Sequence, residues 1–158
     1  MKTAFTILLF SLMIVFVQDW KYRKIHLILP ITIFSISFFI IKNNDLLKIT
    51  ILNLSFFLIT LSVLIIYMSF KSKKIINPFQ HYFGIGDLLF YVSITPLFSQ
   101  QNYILFFVLS MLFAIGLQLS LKKISTEETV PLAGFSALLL CIVFLKDHYF
   151  LFHKMTLL

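Results

Sequence analysis

"IINPFQHYFGIGDLLFYVSITPLFSQQNYILFFVLSMLFAIGLQLSL", Ile75–Leu121, is a run of 47 residues in which Asp87 is the single Asp, Glu, Lys or Arg. So long an uncharged stretch does not suit the surface of a water-soluble domain, where about a quarter of all residues carry charge. The rest of the chain agrees, with 60% of its 158 residues hydrophobic and 12% charged and a mean hydropathy of +1.01. The solvent these residues anticipate is lipid. In a bilayer each backbone N–H and C=O must find its partner inside the segment, which leaves helices as the elements for a chain of this kind. The expected fold class is therefore all-α, a polytopic membrane helix bundle.

A bilayer core of about 30 Å takes about 20 helical residues to cross, with a range of about 17 to 25. The quoted run holds two such segments, Tyr82–Phe98 and Tyr103–Leu121, divided at the polar "SQQN" of Ser99–Asn102. Working outward, uncharged runs at Thr3–Gln18, Ile25–Ile41, Ile49–Phe70 and Thr129–Leu145 bring the expected count to about six transmembrane helices. The connections are short and polar and no internal repeat is visible, so residues 1–158 read as a single domain. No A-x-A-like site precedes Asp19, and the first run reads as a retained helix rather than a cleaved signal peptide.

The 13 Lys and Arg against 6 Asp and Glu leave a net charge of +7. The basic residues fall between apolar runs instead of forming a continuous patch, which argues against nucleic acid as a partner and for a lipid bilayer. Assigned to alternate loops, eight of them (Lys21, Arg23, Lys24, Lys71, Lys73, Lys74, Lys122, Lys123) face one side and five (Lys2, Lys42, Lys48, Lys146, Lys154) the other. The positive-inside rule makes the first side cytoplasmic, placing both termini on the non-cytoplasmic face of a plasma or inner membrane.

Against this background two acidic residues stand out. An ionised carboxylate at a helix centre costs about 2.5 to 3.5 kcal/mol on insertion scales, so it should face a partner or a wet pocket. Asp87 lies near the cytoplasmic start of the fourth helix and Asp19 at the cytoplasmic end of the first, 68 residues away but at a similar depth. Gly84 and Gly86, half of the chain's four glycines, flank Ile85 just before Asp87 and bare a surface on which a helix or an extended backbone can settle, as substrate contact or as structural support. Two carboxyl groups facing one water hydrolyse an amide without metal or nucleophile, because like charges do not both ionise and one serves as acid, the other as base. The alternative for Asp87 is a first-turn aspartate that favours the helix dipole, and for Asp19 an interfacial helix end beside Trp20 and "KYRK".

G-x-G-D at the start of a membrane helix, together with an aspartate at the end of the first helix followed by "WKYRKI", resembles the prepilin peptidases, the type IV leader peptidases among the G-x-G-D intramembrane aspartyl proteases. "TVPLAGFSALL", Thr129–Leu139, is similar to the opening of that family's last conserved helix. The resemblance implies that Asp19 and Asp87 are catalytic and that the substrates are precursors of type IV pilins and pseudopilins, cut after a glycine at the cytoplasmic face. It is to the short, peptidase-only form, since the cytoplasmic insertion with paired C-x-x-C motifs is absent. This chain has Ile25-His26-Leu27 where the family commonly has Ile-Pro-Asn, and Leu89 where it commonly has lysine. Those departures leave the aspartate pair intact and define one alternative, a degenerate relative acting as a membrane scaffold; the other is an ion-coupled transporter using the carboxylates as an ion site.

Further residues carry less. His26, His81, His148 and His153 form no H-E-x-x-H pattern, so no metal site is expected, and no cofactor is required. Gln80 and His81, just before the G-x-G-D, are secondary candidates for substrate contact. Cys141 is a lone cysteine within an apolar run and reads as a buried small side chain. No serine occupies a G-x-S-x-G elbow, and Glu127 and Glu128 read as solvated loop residues.

Overall fold

The computed structural model describes residues 2–72, 84–121, 130–149 and 155–157. Among them are six α-helices and no strand: α1 Lys2–Tyr22, α2 Ile28–Ile40, α3 Leu46–Ser72, α4 Ile85–Ser93, α5 Gln100–Leu121 and α6 Leu132–Tyr149. A 3-10 turn, Thr95–Leu97, follows α4. The chain is thus an all-α bundle, and three helices, α1, α3 and α5, are long and apolar enough to cross a membrane. Their outward faces are apolar as well: Ile59, Val63 and Ile66 of α3 and Leu112 and Ile115 of α5 are all exposed. A helix hydrophobic on every side belongs in lipid or in a protein core.

The second and fourth helices are shorter than the uncharged runs that contain them. At 1.5 Å per residue the 13 residues of α2 rise about 20 Å, less than the hydrocarbon thickness. Of the expected span Tyr82–Phe98, the described residues 84–98 are α-helical from Ile85 to Ser93. Its end has a cause in the sequence: Pro96 lacks an N–H and disfavours the α conformation of Thr95 before it, so the helix stops and a 3-10 turn begins. The carbonyls freed there are not left bare. Asn53 of α3 donates from Nδ2 to Thr95 O at 2.8 Å and to Phe98 O at 2.9 Å. Replacing Asn53 with Ala would strip two buried carbonyls of their donor, and we expect a loss of about 2 kcal/mol in unfolding stability in detergent.

Packing brings α1 against α6 along most of its length, with α2 on its other flank and α5 against α6. An aromatic cluster fills the centre, where Tyr91 lies 5.0 Å from Phe107 and 5.7 Å from Phe57, ring centre to ring centre. The Tyr91 hydroxyl hydrogen-bonds to Ser110 Oγ at 2.7 Å and Ser136 Oγ at 2.9 Å, joining α4, α5 and α6 through one phenol. At one end of the bundle the chain's last described residues close the structure. Asp147 Oδ2 accepts from the amides of Met155 and Thr156 and from Thr156 Oγ1, while Leu157 N donates to Leu97 O. The other end holds the two aspartates.

Candidate active site

The site begins where α1 stops. Asp19 sits in the last turn of α1 and is buried, 7% exposed. After Tyr22 the backbone turns at Arg23, which adopts φ 53°, the left-handed region that a glycine normally fills at a helix end. The turn is held down on the helix it has just left: Arg23 N donates to Asp19 O at 3.2 Å, and His26 N to Gln18 Oε1 at 3.1 Å. This folding-back carries Ile25 onto α4, where a Cβ at Gly86 would stand 3.1 Å from Ile25 Cδ1. The surface that Gly86 bares is therefore covered by Ile25 of the same chain, a structural support for the approach of α4. Gly84 is the N-cap of α4.

Asp87 lies in the first turn of α4, and its two oxygens have different tasks. Oδ2 accepts from the amide of Gly84 at 3.1 Å, the carboxylate half of a capping box. Oδ1 reaches out of the helix and accepts from the amide of Ala133 at 2.7 Å. The amide of the next residue, Gly134, donates to Asp19 Oδ2 at 2.6 Å. Two carboxyl groups that the sequence separates by 68 positions thus converge on consecutive N–H groups in the first turn of α6. That turn has amides without intrahelical acceptors and carries the positive end of the helix dipole, which together favour carboxylates there.

Local sequence explains why α6 can do this. Pro131 stands immediately before Leu132, the first residue of the helix, and its missing N–H is no loss at that position. Gly134 leaves room for Asp19: a Cβ there would meet Asp19 Cβ and Oδ2 at 3.1 Å and Phe16 O at 3.3 Å. Phe135, the next residue, packs edge-on against Trp20 with ring centres 5.4 Å apart. Asp19 and Asp87 are thus held by neighbouring amides of one helical turn, and Arg23 follows Asp19 by four residues at the same end, its N–H donating to Asp19 O.

Comparison of the chain with protein-family models, with curated proteins and with solved structures found no match. The site is therefore judged on its own geometry. That geometry brings Asp19 and Asp87 to one place, with Gly84 capping the second and Gly86 admitting Ile25. Among the described residues no group of three or more His, Cys, Asp or Glu is arranged to hold a metal ion. Gln80, His81, Glu127, Glu128 and His153 lie outside the described residues. Three participants were not anticipated: the amides of Ala133 and Gly134, which have no side-chain signature beyond Gly134 itself, and Arg23.

Proposed function

We propose that this protein is a membrane aspartic endopeptidase that removes the leader of type IV prepilin-like substrates at the cytoplasmic face of the membrane. The observation that carries this reading is the convergence of Asp19 and Asp87 on the consecutive amides of Gly134 and Ala133. A carboxylate pair at the rim of an apolar bundle has few uses, and general acid–base hydrolysis of an amide fits both its chemistry and its place. One carboxylate takes a proton from water as the oxygen attacks the scissile carbonyl carbon; the other, protonated, gives its proton to the carbonyl oxygen. Collapse of the resulting gem-diol breaks the C–N bond, with a proton passing to the departing amine. The substrate's apolar segment would lie along the bundle while its cut site meets water at the edge. On this reading the dyad end of the bundle is cytoplasmic and both termini lie on the opposite side.

The transporter alternative draws on the interruption after α4, since broken helices are typical of ion sites in carriers. The carbonyls exposed by this break, Thr95 O and Phe98 O, are already engaged by Asn53, which leaves them poorly suited to hold an ion. The scaffold alternative requires no water between the carboxylates. The test is incubation of the purified, detergent-solubilised protein with a peptide comprising a basic leader, a glycine and an apolar helix, with the products weighed by mass spectrometry. A single cut after the glycine is the expected result; an intact peptide would leave the scaffold reading.

A further inference from the structure

Arg23 is one of the charged residues at this end of the bundle that the proposed hydrolysis does not use, and three observations set it apart. Its backbone stands at φ 53°, a conformation that costs a residue other than glycine about 1 to 3 kcal/mol and that persists where the surroundings demand it. Its Nε and Nη1 are covered and have no hydrogen-bond partner. Its backbone amide donates to Asp19 O at 3.2 Å, which sets it at the dyad end of the bundle, yet among the described residues no ion pair within 4.0 Å joins it to Asp19 or Asp87. An arginine one helical turn from a buried aspartate would ordinarily close on it in a bidentate pair. This one is held off.

We infer that Arg23 is a substrate-orienting residue, donating its free N–H groups to the carbonyl oxygen of the peptide bond held between Asp19 and Asp87; the inference rests on the protease reading above. The kind of acceptor follows from charge. An aspartate pair sharing one proton carries one negative charge, and the guanidinium balances it. What Arg23 lacks is a hydrogen-bond acceptor and not a counter-charge, and a neutral carbonyl oxygen supplies the first without upsetting the second. That oxygen has two lone pairs, one for the protonated carboxyl group and one for the guanidinium. Covered donors without acceptors are costly, so a substrate that engages them is favoured, and the flexible stem of the partly buried side chain lets the head group turn toward it.

The experiment compares two peptides on protein carrying Asp87→Asn, which binds without cutting. One has the ordinary amide after glycine; the other has a neutral trans-alkene in its place, with the same shape and no carbonyl oxygen. With Arg23 present, the amide peptide is expected to bind about tenfold more tightly than the alkene. Arg23→Met, which keeps the aliphatic stem and loses the donors, should remove most of the amide's advantage and leave the alkene's affinity unchanged. In the otherwise unaltered protein, Arg23→Gly should lower kcat/KM about 100-fold while the unfolding temperature holds or rises, because glycine relieves the left-handed backbone. Equal weakening of both peptides by Arg23→Met, no preference between them when Arg23 is present, or full cleavage by the glycine variant would each overturn the inference and leave the protease reading standing. If protein with all native residues cuts neither this peptide nor longer substrates, the protease reading falls and this role with it.

Discussion

On the protease reading proposed above, asparagine in place of either Asp19 or Asp87 is expected to lower the cleavage rate by about 1000-fold or more while the protein still inserts and folds. The two substitutions differ in a useful way. Asp19 has one hydrogen bond across the bundle, from the amide of Gly134, and an asparagine can turn its carbonyl oxygen to the same donor. Its shape is retained and its basicity lost, so Asp19→Asn isolates the chemistry. Asp87 accepts with both oxygens, from Gly84 and from Ala133; an asparagine must set its amide nitrogen against one of these N–H groups. A stability loss of about 1 kcal/mol, the usual effect of spoiling a cap, should accompany the loss of activity there. The measurements are initial rates on a leader-bearing peptide in detergent or proteoliposomes, with unfolding in detergent as the control. An Asp19→Asn protein that cuts at the native rate would remove Asp19 from the chemistry and reduce the convergence at α6 to a packing device.

The existence of the bundle and the location of its two unusual carboxylates were both legible in the sequence, for the same reason. Charge is expensive in lipid, so apolar runs show up as helices and an aspartate within or beside one shows up as an exception. The convergence of Asp19 and Asp87 could be anticipated from depth alone, because both stand near the same rim. Three features could not be read in this way. The fourth helix is shorter than its uncharged run because Pro96 ends it, and hydropathy is blind to backbone geometry. The donors that hold the carboxylates are main-chain amides of Ala133 and Gly134, which every residue but proline possesses. Arg23 counted in the sequence as one more cytoplasmic positive charge, and only its left-handed backbone and unpaired nitrogens distinguish it from Lys21 or Lys24.

On the protease reading, Gly134 is where packing and chemistry depend on the same atoms, and replacing it with alanine is expected to damage both. The added Cβ would stand 3.1 Å from the Cβ and Oδ2 of Asp19 and 3.3 Å from Phe16 O. One of those neighbours is main chain within α1 and another is the carboxylate itself, so neither yields as a flexible side-chain tip would. Relief requires α1 and α6 to separate along their contact, which is the most extensive between helices among the described residues. Overpacking of this kind costs about 1 to 3 kcal/mol, and the displacement lengthens the 2.6 Å bond from Gly134 N to Asp19. A fall in cleavage of at least about tenfold is expected even in the fraction that remains folded, because small misplacement of a reacting group is enough to lose rate. The matched control is Gly116→Ala in α5, where an added Cβ meets nothing within 4 Å. There alanine should raise stability by up to about 1 kcal/mol through helix propensity and leave cleavage unchanged. Should the two variants behave alike, the close approach of Gly134 to Asp19 is not what holds the first carboxylate in place, and the shared turn of α6 loses its role in assembling the pair.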